Sequence, residues 1–389
     1  MGRCVSISIW QVLRSKMSIL YVPVMAAKRG EFTALSNLQG AVAEKIIPVF
    51  ELPAKKLGTT IFEKSIGRTA AKAGQAWHGR SAFLDISKWS PNARTESGIH
   101  VLEYAFSQFR SSSVIAHPIV GYDRWDDPSY SQAVKNIRKR YPVTPCIRFD
   151  REAVQDDMLD FSYFADRVNE IMASLDVGPN NCFVMVDLGD VSTASVPDII
   201  ENTEMAVKTL RNMEFGTVIV VGGSMPDAVN KAVDNRDAEG CIPRIEMMAW
   251  KAIFSEAMDS RIVFGDYLIR SPNSVEGVIA PDANAKIRYT VDGQYFIVRG
   301  HSKREDSLTL QHKNLAKKLV ASTLYMGSHF SWGDSEVLNC SIGIREIRDA
   351  TLMIAVDSNH HISAVVAEVA EHQRQVVSSA KSNSTSATS

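Results

Sequence analysis

Eight short apolar segments recur between residues 21 and 264, and each is followed by a stretch with helical patterning. Because strands that alternate with crossover helices build a parallel sheet, and eight such units close on themselves, this rhythm predicts a (β/α)8 barrel. A miscount by two would leave an open, doubly wound sheet instead. The segments are Tyr21–Met25, Ile46–Leu52, Ala82–Ile86, Val114–Val120, Val143–Phe149, Cys182–Leu188, Thr217–Val221 and Ile262–Phe264.

The pattern divides the chain into four parts. Residues 1–16 mix charged and apolar residues without the apolar core and cleavage site of a secretory signal, which predicts a flexible extension. The barrel is predicted over 17–270. Residues 271–380 predict a hairpin around Asp292–Gly293 and two helices, the second from about Ile362 to Val377, packed on the barrel. The serine- and threonine-rich residues 381–389 predict a disordered tail.

Composition excludes several classes of protein. The net charge of -1 gives no global attraction to nucleic acid or to an anionic membrane, and no apolar run is long enough to span a bilayer. The five cysteines are scattered without metal-ligand spacing and indicate reduced thiols in a soluble, cytoplasmic protein. The standard hydrolase, zinc-protease and nucleotide-binding motifs do not occur in the sequence.

Charged residues follow the predicted strands, at the end of a barrel where binding and catalytic groups lie. We expect them to surround one cavity, since a buried charge is costly unless it is paired, hydrated or bound. The candidate catalytic residues are Lys28, Glu51, Asp85, Arg148, Asp187 and Asp266.

Three interpretations of this set remain open. The acids are suitable oxygen ligands for Mg2+ or Mn2+, with Lys28 and Arg148 holding a phosphate, which describes a metal-assisted enzyme acting on a nucleotide, nucleic acid or phosphorylated metabolite. Paired acids and Lys28 are alternatively suited to general acid and base catalysis without a metal. The third interpretation is a closed salt-bridge network that plugs the barrel and catalyses nothing.

A phosphate or anion site is also predicted at the mouth of the barrel. Gly222, Gly223 and Ser224 follow the seventh strand, where backbone N–H groups often bind phosphate in this fold, and Gly265–Asp266 with Tyr267 supplies the second half. Arg288 and Arg299 of the hairpin would complete an anion-binding lid if the hairpin covers the mouth.

The hairpin and the segment Trp332–Asp334 each suggest a further binding function. Basic and aromatic residues alternate in and after the hairpin, a mixture suited either to nucleic acid or to a solvated sheet face. Trp332–Gly333–Asp334 predicts a tight turn with a buried tryptophan and a capping aspartate, and Trp332 is also a candidate for stacking on a ligand.

A set of short segments across the chain matches a known family pattern: Tyr21–Val24, Lys28–Glu31, Ala34–Leu35, Ile47–Glu51, Phe83–Asp85 and Phe330–Asp334. In these segments the chain resembles the Beta protein family, named for a satellite-prophage protein that prevents killing by the product of an adjacent gene. The resemblance implies a prophage or antiphage-defence accessory protein, linked to toxin–antitoxin function, which neutralises or regulates a toxic or phage-encoded protein partner. It implies no established reaction.

Overall fold

Eight parallel strands close into a barrel, as the sequence predicts. The computed structural model describes residues 19–54, 61–274 and 283–386, with side chains to residue 380. The barrel order is β1-β2-β3-β4-β5-β6-β7-β9, and β10, β11 and β8 form a separate sheet. The strands, numbered along the chain, are β1 Tyr21–Met25, β2 Val49–Glu51, β3 Ser81–Asp85, β4 Ile115–Gly121, β5 Cys146–Phe149, β6 Phe183–Asp190, β7 Thr217–Gly223, β8 Glu239–Pro243, β9 Ile262–Asp266, β10 Asn284–Val291 and β11 Gln294–Ser302.

Strand β9 closes the barrel between β7 and β1. Val22 lies opposite Gly265 in the register with β1, and Val221 lies opposite the same glycine in the register with β7. A Cβ atom at Gly265 would stand 2.7 Å from Val221 Cγ2 and 2.9 Å from the Val22 carbonyl oxygen. The glycine therefore lets the closing strands approach each other.

Residues of each strand alternate between the barrel interior and its outer wall. The interior is filled by alternate apolar residues such as Val49, Phe83, Cys146 and Met185. Their neighbours pack outward against the helices, as Phe50 does. Both faces of the strands are thus covered, which explains their nearly continuous apolar sequence.

Helices surround the barrel in alternation with the strands. In the described part of the chain they are α1 Arg29–Ser36, α2 Gly40–Ala43, α3 Phe62–Ala76, α4 Val101–Ser111, α5 Pro128–Arg140, α6 Arg151–Gln155, α7 Phe161–Ser174, α8 Val196–Asn212, α9 Ile245–Ala257, α10 Leu308–Ala321, α11 Trp332–Ile342 and α12 Ala350–Ser386.

The predicted hairpin is present and gains a third strand. Val291 pairs with Gln294 across the turn, where Gly293 has φ +67° but Asp292 does not take the left-handed conformation expected of both turn residues. Strand β8, which the sequence did not predict, pairs with β11. One face of this sheet packs on α10 and α11, and the other lies over the loops that follow β7 and β9.

Helix α12 takes the place of the eighth outer helix of the barrel, the one that follows the last barrel strand. It contacts α1 and β1 on one side and α9 on the other, and its residues Ile362 and Val365 join the main core. The hairpin, α10 and α11 are therefore an insertion between the last barrel strand and the last barrel helix. This helix is longer than predicted, because it begins at Ala350 and continues to Ser386 into the segment expected to be disordered.

The predicted turn at Trp332–Asp334 is instead the first turn of α11. Ser331 caps it, and Trp332 is only partly buried, which corrects the expected buried tryptophan. A Cβ atom at Gly333 would lie 2.4 Å from the Val356 carbonyl oxygen, so this glycine permits close approach of α11 and α12.

The predicted extension at residues 1–16 lies outside the described residues. Within the described chain, no helix combines the length and the apolarity that crossing a bilayer requires. Cys146, Cys182, Cys241 and Cys340 are unpaired there.

Candidate functional site at the barrel mouth

Four of the six predicted strand-end residues meet inside the barrel mouth. Glu51, Asp85, Arg148 and Asp187 each stand two residues after an interior apolar residue of the same strand, so the alternation of the strand points them inward. Their register places Glu51 opposite Asp85, and Arg148 opposite Met185. These four residues, with Tyr267 and Arg270, are called the mouth cluster below.

Arg148 is the centre of the mouth cluster. Its Nε donates to Asp187 Oδ2 at 2.8 Å, and its Nη2 donates to Asp187 and, at 2.7 Å, to the Tyr267 hydroxyl. Its Nη1 donates to Asp85 and, at 3.3 Å, to Glu51 Oε1. Every nitrogen of the guanidinium is thus engaged, and the side chain is only 12% exposed.

Arg270 gives the cluster a second cation, which the sequence analysis missed. Its Nη2 donates to Glu51 Oε2 at 2.5 Å, and its guanidinium lies 5.0 Å from the centre of the Tyr267 ring. The Tyr267 hydroxyl donates to Asp187 Oδ2 at 2.6 Å. The acids and cations therefore share a continuous network rather than surrounding an open space.

The electrostatics keep this network charged and closed. Burial opposes ionisation of Glu51, but Arg270 and Arg148 outweigh it and lower the pKa of this carboxyl to about 2. Burial raises the pKa of the Tyr267 phenol well above its usual value, so it stays protonated. Burial acts against the charge of Arg148, but Asp187 and the other partners raise the guanidinium pKa well above its usual value. These perturbed groups are moved away from neutrality, whereas a general acid or base works best with a pKa near the working pH.

The mouth cluster does not fit the predicted metal site. Its carboxylates converge on a guanidinium, and a metal ion would have to displace Arg148 to reach them. Among the described residues, no group of three or more His, Cys, Asp or Glu side chains is arranged to hold a metal.

Asp266 does not face this cavity, which corrects the expectation that one cavity gathers all the strand-end acids. In β9, Val263 and Tyr267 point inward, so the intervening Asp266 points to the outer wall. There its Oδ1 accepts from the Tyr21 hydroxyl at 2.5 Å, and its Oδ2 lies 3.0 Å from His361 Nε2 of α12. The run Ile262–Phe264 was too short to show this alternation.

Asp266 belongs to a second buried network, called the outer-wall cluster. Arg244 bridges it, with Nη2 3.3 Å from Asp266 and Nη1 2.6 Å from Glu368 of α12. Arg244 Nε lies 3.8 Å from Glu246 Oε1. The full cluster is Tyr21, Arg244, Glu246, Asp266, His361 and Glu368.

Lys28 also lies apart from the mouth cluster. It is exposed at the N-cap of α1 and lines a cavity of about 180 Å3 beside the ends of β1 and β2. The expectation that it joins the acids around one cavity is wrong, because none of the mouth-cluster residues lines the cavity that Lys28 borders.

The glycine turn after β7 has an acidic neighbour. A Cβ atom at Gly222 would lie 3.0 Å from Glu246 Cβ, and Gly223 packs close to Pro272 and Tyr267. Burial raises the pKa of the Glu246 carboxyl to about 7 against the opposing effects of Arg244 and the buried Ser224 hydroxyl. With this carboxyl beside it, the turn is less suited to phosphate than the sequence suggested.

The hairpin residues anchor the sheet instead of forming an open lid. Arg288 Nε donates to Asp357 at 3.1 Å and its Nη1 donates to the Ile269 carbonyl at 3.1 Å. Arg299 is buried and donates to the Val233 carbonyl at 2.7 Å. The sheet does cover part of the mouth, but both guanidiniums hold protein groups, so the anion-binding lid is not formed by them.

Comparisons with known proteins give the family. A sequence model described as Beta protein matches residues 21–367, nearly the whole chain. This chain belongs to the Beta protein family. A search of curated proteins found no match for the Beta-family chain. Among solved structures, it is similar to triosephosphate isomerase from Bartonella henselae at 9% identity and a TM-score of 0.31, over 64% of this chain and 91% of the isomerase. The barrel assignment rests on the closed strand order itself.

No local sequence pattern in this Beta-family chain indicates that Arg270 or His361 contacts the strand-end acids. Arg270 lies in a loop after β9, and His361 lies on α12, far along the chain from the acid it contacts. The adjacent His360 points elsewhere, to Asp334 Oδ2 at 2.8 Å, so the two histidines diverge as their adjacency predicts. The packing of α12 on the barrel brings His361 to the strands, and the loop after β9 brings Arg270 to Glu51.

Proposed function

We propose that this Beta-family protein is a cytoplasmic binding protein of prophage or antiphage defence. It neutralises or regulates a toxic or phage-encoded protein partner through its outer surface, and the mouth cluster stabilises the barrel that presents this surface. The observation that carries the proposal is the saturation of Arg148, whose nitrogens are all engaged by Glu51, Asp85, Asp187 and Tyr267. A closed, charged network offers no free group for a reaction.

The alternative of a metal-assisted enzyme has less support. It requires the acids of the mouth to be available to a metal and Lys28 to reach the substrate there. The acids are instead bound to Arg148 and Arg270, and Lys28 is exposed outside the cluster.

We place the anion-binding site in the cavity beside the mouth, and no longer at the glycine turn after β7. Lys28, Arg29 and Lys72 line this cavity of about 180 Å3, and none of its described lining residues is acidic. A phosphate or carboxylate of a partner would meet positive charge here.

An outer surface suited to a protein partner lies at the start of α7. Leu159, Phe161 and Tyr163 are 73%, 48% and 52% exposed, and exposed apolar and aromatic side chains grouped in this way are typical of protein interfaces.

A protection assay tests the proposal. The chain is co-expressed with the products of its adjacent genes, and survival is scored per amount of folded protein. Glu51→Gln, Asp187→Asn and Arg148→Ala should keep protection wherever the variant folds, whereas Leu159→Ser/Phe161→Ser/Tyr163→Ser should lose it. Ile342→Ser/Ile344→Ser, at another exposed apolar site, is the matched control. Loss of protection in folded Glu51→Gln and Asp187→Asn would overturn the proposal in favour of an enzyme.

A further inference from the structure

A groove along α3 is lined by positive charge. A second cavity, of about 410 Å3, adjoins the one beside the mouth, and both are lined by Ser65, Thr69 and Lys72. Lys64 and Arg68 complete the cations of the second cavity. The chain as a whole carries a net charge of only -1, so this concentration of cations is local.

The cations follow the helix with a regular spacing. Lys64, Arg68 and Lys72 are exposed and stand four residues apart on α3, so they form one row with a step of about 6 Å. Such a row suits a ligand whose negative charges also repeat along a chain.

Among the described residues, no acid lines either cavity. The two acids at the start of α3 bind backbone groups instead: Glu63 Oε1 accepts from the Ser97 N–H at 3.1 Å, and Glu96 Oε2 accepts from the Glu63 N–H at 3.0 Å.

The chemistry of the groove favours nucleic acid over protein. Energetic centres of protein interfaces are typically aromatic or large apolar anchors, and Ile61 is the single residue of that kind among the described lining residues of the second cavity. Lysine, arginine and serine side chains are the usual contacts of backbone phosphates. The described residues of both linings include no aromatic side chain on which bases could stack, so contact with phosphates is expected to be independent of base sequence.

We propose that the groove along α3 binds nucleic acid through its backbone phosphates, with Lys64, Arg68 and Lys72 in contact with successive phosphates and Arg29 at the end beside the barrel mouth. The inference goes beyond the proposed function, and it extends the anion-binding cavity of that proposal. It also relocates the nucleic-acid surface from the hairpin, where Arg288 and Arg299 hold protein groups.

Fluorescence anisotropy with a labelled oligodeoxythymidylate tests this inference on the full chain. Wild type should bind, and affinity should fall as salt rises. Lys64→Ala/Arg68→Ala/Lys72→Ala should bind at least about tenfold more weakly, and its log–log salt slope should be shallower by about 2, since each phosphate contact on a single strand contributes about 0.7. The matched control Lys139→Ala/Arg140→Ala/Lys317→Ala removes the same number of exposed cations elsewhere and should bind as wild type does.

Three results would overturn the inference. One is no binding of the oligonucleotide by wild type at about 50 mM salt, and another is equal binding by the groove variant and the control. The third is competition by poly-glutamate as strong as that by unlabelled oligonucleotide at equal charge, which would assign the groove to an acidic protein. The protection assay above is scored separately, so failure here leaves the protein-partner proposal to its own test.

Discussion

The mouth cluster and the outer-wall cluster contain consecutive residues of one chain segment, yet they lie on opposite sides of the barrel wall. Tyr267 points into the mouth and contacts Arg148, whereas Asp266 points outward and contacts His361 and Arg244. Both clusters are buried and both contain an arginine among carboxylates. They differ in what they join, since the first ties barrel strands together and the second ties the barrel to α12.

The two clusters also differ in how they respond to protons. In the mouth cluster the pKa of Glu51 is lowered to about 2, because two arginines face it. In the outer-wall cluster burial raises the pKa of Glu246 to about 7. The adjacent residues Asp266 and Tyr267 therefore belong to two networks, one in which Glu51 stays charged near neutral pH and one in which Glu246 titrates there.

The largest effect is expected from Arg148→Met. The substitution leaves Glu51, Asp85 and Asp187 without their common cation in a buried site, so the free energy of unfolding should fall by about 3–5 kcal/mol. Urea denaturation measures the loss. Arg236→Met, which breaks an exposed pair with Glu305, is the control and should cost about 0–1 kcal/mol. Equal losses in the two variants would contradict the role of the mouth cluster.

Asp266→Asn should be the next most destabilising change. Asparagine keeps the shape of the side chain but removes the charge that faces His361 and Arg244, while Arg244 keeps Glu368. The free energy of unfolding should fall by about 2 kcal/mol. Hydrogen exchange should show the added opening in α12 rather than in β2 or β5, and opening in those strands would place Asp266 in the mouth after all.

The two clusters should differ in how the free energy of unfolding depends on pH. Because the folded-state pKa of Glu246 lies above its unfolded value, its contribution to stability is present at low pH and is lost as pH rises toward about 7. Glu246→Gln removes this loss. As pH rises from about 5 to 8, the free energy of unfolding of the variant should therefore increase by roughly 1–2 kcal/mol relative to that of wild type.

Glu51→Gln is the matched comparison for that experiment. The folded-state pKa of Glu51 is lowered, so its contribution is present above the unfolded value and is lost only as pH falls through about 2. The stability difference between wild type and Glu51→Gln should stay constant between about pH 5 and pH 8. If the stability difference between wild type and Glu51→Gln changed across this pH range, the two clusters would not differ in their response to protons.

Tyr267→Phe should have the smallest effect. It removes the hydroxyl that contacts Asp187 and Arg148 but keeps the ring beside Arg270, so it should cost about 1 kcal/mol in thermal or urea unfolding. Tyr295→Phe, whose hydroxyl donates to the Leu268 carbonyl at 2.8 Å outside the mouth cluster, is the paired variant. Protection by folded Tyr267→Phe should equal that of wild type, and its loss would indicate a chemical role for the phenol.

The sequence predicted the barrel and most of the mouth cluster for a physical reason. Strands covered on both faces must be apolar throughout, so a charge at the end of such a run stands out, as Glu51, Asp85, Arg148 and Asp187 do. The inward or outward direction of a charge depends on a single residue of register, which the three apolar residues before Gly265 did not fix for Asp266.

The parts of the structure that the sequence did not predict depend on contacts between segments that are distant along the chain. Strand β8, with the sequence Glu-Gly-Cys-Ile-Pro, has little strand signal and forms because β11 is available to pair with it. The start of α11 contains Gly333, which disfavours a helix locally but permits the close contact with α12. Similarly, Arg270 and His361 gain their roles only from tertiary packing.

The closure of the mouth carboxylates on Arg148 is tested by a crystal structure of the protein grown with manganese and measured at an anomalous wavelength. We expect Arg148 bound to Asp85 and Asp187, Asp266 bound to His361 outside the barrel, and no anomalous peak among the mouth carboxylates. A manganese peak between Glu51, Asp85 and Asp187, with Arg148 displaced from them, would show that the mouth is a metal site instead.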